Sequence, residues 1–139
     1  MLFALLACND LPPDWSQAEP IPDFTQRACE GSPYDSGLSD PVLSAEAAQD
    51  GVSVEIGPVM FRCAQKVEGF WLADGVTLDV LVQPIDMNPN EVAACDCLYD
   101  LSMTVPGSGS SVQVWTRGDH LSGMDEPELA AEGEVAEEG

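Results

Sequence analysis

The sequence predicts an all-β domain, an antiparallel β-sandwich of immunoglobulin-like or similar build, between a disordered N-terminal tether and an acidic C-terminal tail. Three observations predict it. Apolar and polar residues alternate with period two through several short runs between residues 42 and 119, the pattern of half-buried strands. Gly57-Pro58, Asp74-Gly75 and Pro106-Gly107 punctuate those runs with turn chemistry. No stretch shows a convincing helical period, and short strands at this spacing point to a sandwich.

Residues 2–8 read LFALLAC, six apolar residues ahead of a cysteine. The run is shorter than a signal-peptide core, and no Lys or Arg precedes it. Leu5-Leu6-Ala7-Cys8 resembles a bacterial lipobox, in which the cysteine after a small residue is lipidated and becomes the new N-terminus. Residues 1–8 are therefore expected to be the remnant of a longer export signal, with Cys8 as the lipid attachment site. The buried alternative, Cys8 as a core thiol, fits less well with the polar, proline-broken NDLPPDW that follows. By resemblance to enterobacterial sorting, Asn9 after the cysteine points to the outer membrane.

Residues 9–41 hold six of the eleven prolines and show no regular period, which reads as an extended tether. Val42–Ala48 suits an edge strand or a short helical turn. Val52, Val54 and Ile56 then alternate with Ser53 and Glu55, and Gly57-Pro58 breaks the run. Val59, Phe61 and Cys63 share the next inward face, opposite Arg62 and Lys66. Gly69 suggests a bulge. Phe70-Trp71-Leu72 leads to the hairpin signal at Asp74-Gly75. Val76, Leu78, Val80 and Val82 form the inward face of the returning strand, with Thr77, Asp79 and Gln83 outward. After a loop from Pro84 to Glu91, Cys95, Cys97, Tyr99, Leu101, Met103 and Val105 alternate with polar residues. Val112, Val114 and Thr116 mark the last strand of a body spanning 42–119. Residues 120–139 are rich in Glu and Ala and are expected to be a disordered acidic tail.

Charge narrows the partners. The chain of 139 residues carries 25 acids against 4 Lys and Arg, a net charge of -21. Such a surface repels phosphate, so nucleic-acid binding is excluded as an expectation. One histidine, His120, leaves no blue-copper ligand set, and no Gly-x-Ser-x-Gly accompanies it, so no catalytic residue is assigned. Asp35 and Asp40 lack EF-hand spacing. Arg117-Gly118-Asp119 spells an adhesive tripeptide, although a strand end followed by a turn is the simpler reading. Of Trp71 and Trp115, one is expected in the core and one exposed, where it would mark a sugar- or protein-binding patch.

With Cys8 assigned to lipid, Cys29, Cys63, Cys95 and Cys97 remain, an even number that reads as two disulfides in an oxidising compartment. Cys95 and Cys97 lie two apart on one strand, near the ~6.8 Å upper limit for a bridge, so each is expected to pair elsewhere. One would join Cys63 and the other Cys29. A bridge from Cys63 closes a loop of roughly thirty residues, worth ~3–4 kcal/mol in the chain-entropy account. The alternative for Cys95-x-Cys97 is a redox pair, or a soft Cu(I) site with Met60 or Met103 nearby. No cofactor or metal is assigned to the disulfide reading.

The order of a cysteine strand, an Asp-Gly hairpin, CDCLYDLSMTVPG and a valine-alternating strand resembles a group of Gram-negative bacterial lipoproteins. The stretch Cys97-Leu98-Tyr99-Asp100-Leu101 carries the likeness, which spans about residues 42–117. The resemblance implies an exported, disulfide-containing β-sandwich and no particular activity. The expectation is thus a non-enzymatic, lipid-anchored envelope protein that binds a protein or glycan partner or plays a structural part.

Overall fold

The computed structural model describes residues 11–29, 40–63, 66–85, 96–117, 119–120, 123–124 and 126–137. Cys8 and Cys95 lie outside them. Eleven strands are described: β1 (Glu19–Pro20), β2 (Asp23–Gln26), β3 (Val42–Ala48), β4 (Gly51–Arg62), β5 (Val67–Asp74), β6 (Thr77–Pro84), β7 (Asp96–Val105), β8 (Ser111–Thr116), β9 (Asp119–His120), β10 (Gly123–Met124) and β11 (Glu128–Ala136). A short 3-10 turn, Pro13–Trp15, precedes them, with a proline at its start where a missing N–H costs nothing.

The all-β expectation holds, but the sheet is mixed where an antiparallel one was expected. Nine strands form one mixed sheet in the order β1-β5-β6-β8-β11-β3-β4-β7-β2, curled into a half-barrel. β9 and β10 pair separately. Two of the neighbours are parallel, β6 with β8 and β11 with β3. The cause lies in β7. It pairs with β4 and β2 and not with the strand that follows it, so the chain crosses over to set β8 alongside β6.

Much of the local reading stands. β4 is one strand of 12 residues whose register shifts between Ile56 and Val59. The extra residue at Gly57-Pro58 changes the alternation by one, so Val52, Val54, Ile56, Val59 and Phe61 all reach the core. A Cβ on Gly57 would collide with Asp100 of the neighbouring strand. The hairpin between β5 and β6 is present with Asp74 opposite Thr77, so its loop residues are Gly75 and Val76. Gly75 takes a φ of 63° there, and Val76 is exposed in the turn, not on the inward face. β3 is a strand, and it is internal to the sheet, not at its edge.

The termini differ from expectation. Part of the expected tether, residues 19–26, contributes both outer strands of the sheet. β1 pairs with β5 and β2 pairs with β7, with only Ile21 and Pro22 between them. Ile21 N–H donates to Gly69 O at 2.9 Å, and the Gln26 side chain accepts from Val67 N–H at 3.0 Å. Gly69 is small because Phe24 and Ile21 press against it. Proline does no harm in such strands because an outer edge needs no complete ladder.

The expected acidic tail also contributes a strand. β11 lies between β8 and β3, with Ala130, Ala131 and Val135 packed on the core and Glu128, Glu132 and Glu134 exposed. Gly133 sits under Leu43, where a Cβ would be crowded.

Candidate functional site: an acidic groove walled by tryptophans

β5, β6 and β8 are covered on both faces along part of their length. Val67, Val80, Val82, Val112 and Val114 point into the main core. Phe70 and Leu81, opposite each other in the β5–β6 register, are 1% and 0% exposed yet stand on the other face. Strand alternation places Leu72, Asp74, Asp79 and Trp115 on that outer face as well.

There they border an open groove of about 500 Å3, together with Asp14, Trp15, Ala73, Glu126 and Pro127. Trp15 comes from the 3-10 turn and is buried, whereas Trp115 is half-buried. The Trp115 indole N–H donates to Asp79 Oδ1 at 3.4 Å. Burial raises the pKa of Asp79, the Trp115 hydrogen bond opposes that rise, and the charge of Asp74 adds to it.

Farther along the same face the polar side chains are satisfied internally. Arg117 Nε donates to Gln83 Oε1 at 2.9 Å, and both residues are buried. Gln83 also hydrogen-bonds Glu68, its cross-strand partner. Burial raises the pKa of Glu68 more than this hydrogen bond lowers it. Among the described residues, no buried side-chain nitrogen or oxygen lacks a partner. Arg117, buried in this way, does not suit an exposed adhesive tripeptide.

The cysteines meet at the opposite side of the sheet. Cys29 and Cys97 form a disulfide with their Cα atoms 5.6 Å apart, tying the segment after β2 to β7. The pairing of Cys29 with one of the Cys95-x-Cys97 cysteines follows the sequence reading. Cys63 stands beside this bridge, with its Sγ 2.9 Å from that of Cys97. Met60 and Met103 are not brought together as soft ligands. Met60 is 48% exposed and Met103 is buried in the core. Among the described residues, no three His, Cys, Asp or Glu side chains are grouped to hold a metal ion.

No protein-family model, curated protein or solved structure matches this chain. Any functional reading therefore stands on the groove and the cysteines themselves.

Sequence reasoning expected one of Trp71 and Trp115 to be exposed without deciding which, and left Trp15 in the tether. Trp71, its counterpart, packs against the core. A signal for Trp15 was present: a tryptophan two residues after Pro12-Pro13 is costly to leave in water, and a proline start suits a short helical turn. Nothing in the linear pattern joins Trp15 to Trp115, which is 100 positions away.

Proposed function

We propose that this chain is a non-enzymatic binding domain of the bacterial cell envelope, lipid-anchored through Cys8 and braced by disulfides, whose ligand surface is the Trp15–Trp115 groove. The groove carries the reading. Two tryptophans from distant parts of the chain and four carboxylates border one concavity. Its size falls in the range of small-ligand sites. The Cys29–Cys97 disulfide supports an oxidising compartment, because cytosolic thiols are kept reduced. The anchor rests on Leu5-Leu6-Ala7-Cys8 and on the likeness to Gram-negative lipoproteins, and Asn9 after the cysteine points to the outer membrane.

The anchor is tested with the protein expressed in a Gram-negative host from its natural gene. Palmitate labelling and partition into detergent are expected, both lost in Cys8→Ser. Multiple acyl chains should hold the protein on membranes through a high-salt wash. A soluble product with the residues before Cys8 intact would remove the anchor from the proposal.

One observation favours a second reading, thiol–disulfide exchange. The sulfurs of Cys29, Cys63 and Cys97 cluster, with Cys63 Sγ 2.9 Å from Cys97 Sγ beside the Cys29–Cys97 bridge, and sulfurs so grouped can exchange bridging partners. Bracing disulfides would resist mild reductant in the folded protein, and exchange-active ones would be reduced and alkylated quickly. The copper form of this reading needs Cys95, which lies outside the described residues.

A further inference from the structure

The groove has a chemical bias that points to its occupant. Its charged lining is Asp14, Asp74, Asp79 and Glu126, and among the described residues no Lys, Arg or His borders it. Ionised carboxylates accept hydrogen bonds and donate none. The Trp115 indole N–H is already given to Asp79. A phosphate or carboxylate ligand would meet repulsion. An ammonium group, which has three donors, one positive charge and no acceptor, is complementary.

Two further features narrow the class. Indole is the side-chain ring that attracts cations most strongly, and Leu72, Ala73 and Pro127 add apolar surface for an alkyl stem. The acids are also not gathered as a metal cage, since no group of three such ligands is found among the described residues. Carboxylates that do not converge on one point, in a groove of about 500 Å3, suit several separate charges better than a single ion.

We infer that the groove binds a linear alkyl polyamine, a small molecule whose ammonium groups are separated by methylene spacers. The inference rests on the groove being a ligand site, as proposed above. The ammonium groups pair with the carboxylates and approach the Trp115 indole, while the spacers lie against aliphatic carbon. Burial and the neighbouring Asp74 disfavour the ionised form of Asp79, and a bound cation relieves that cost.

The test is a titration of the full chain with spermidine in 0.15 M salt, followed by tryptophan fluorescence and calorimetry. Magnesium chloride and the neutral sugar cellobiose serve as parallel probes. Saturable binding at one site is expected, with Mg²⁺ at the same concentration failing to displace it. Trp115→Leu should weaken binding about tenfold, the scale of a desolvated cation–aromatic contact. Asp74→Asn retains a residue suited to the hairpin and should weaken it several-fold, even if the tryptophan variant fails to fold. Glu46→Gln, on distant β3, should leave it unchanged. Displacement by Mg²⁺, or equal losses in Glu46→Gln and Asp74→Asn, would reduce the effect to counterion attraction and overturn the inference. Cellobiose binding in place of spermidine would overturn the polyamine and keep the groove as a ligand site. No response to either probe would overturn both.

Discussion

Cys29 and Cys97, 68 residues apart in sequence, are joined by a disulfide that ties the strap carrying β1 and β2 to the edge of β7. A closed loop of that length is worth about 4 kcal/mol in the chain-entropy account. Cys29→Ser should therefore lower stability to urea by about 2–4 kcal/mol, read as a drop in the unfolding midpoint. Unchanged denaturation would mean that the strap is held by its strand pairing alone.

The sequence scheme of two bridges leaves Cys95 for Cys63 once Cys97 is taken by Cys29. Non-reducing peptide mapping of the protein should recover a Cys29–Cys97 peptide and a Cys63–Cys95 peptide. Recovery of Cys63 joined to Cys97 instead would indicate exchange among these sulfurs and favour the redox reading.

Gly75→Val should destabilise the β5–β6 hairpin by about 1–2 kcal/mol, because a side chain there must adopt a left-handed conformation. Space is not the issue, since nothing lies within 4 Å of a Cβ at that position. A melting temperature several degrees lower is expected. Gly75→Asn, which tolerates positive φ, should recover most of the loss.

Asp79 should have the opposite pH behaviour from a salt-bridged carboxylate. Its folded pKa is raised by burial and by Asp74. Between the two pKa values the folded state therefore holds a proton that the unfolded state has released. The stability this group contributes is present below the unfolded value, near 3.8, and is lost as pH rises through the higher folded pKa. Asp79→Asn should thus be more stable than the parent at pH 7, with the difference shrinking under acid. Paired thermal melts at both pH values check it, and a parent favoured at neutral pH would contradict it.

Ending the chain after Pro127 removes β11 and leaves β8 and β3 without the strand between them. Cooperative melting should be lost, because two internal strands become open edges at once. In the intact protein, the amides of the β11 residues paired with β8 should be protected from hydrogen exchange. Free exchange there together with an unchanged melt of the truncated chain would return this segment to the status of a tail.

Residue order alone determined the strand interiors. Val52, Val54 and Ile56, the Cys97–Val105 alternation, and Val112 with Val114 could be assigned because side chains two apart must share a face. A hairpin at Gly75 was legible for a similar local reason, since it requires a residue tolerant of positive φ, although its loop is Gly75-Val76 and not Asp74-Gly75. The cysteine count and spacing pointed to Cys29 bridging one member of the Cys95-x-Cys97 pair. β11 was less legible because its inward residues, Ala131, Gly133 and Val135, are mostly small. The alternation with Glu132 and Glu134 is there, but it carries little hydrophobic contrast. Only the tertiary structure decided that β7 pairs with β4 and β2, that β8 lies parallel to β6, and that residues 19–26 serve both outer edges. It also decided that Trp15 and Trp115 border one groove. Strand alternation is a short-range consequence of backbone geometry and is written into every pair of residues. Strand order depends on which distant surfaces bury each other best, a sum over the whole chain that no local segment contains.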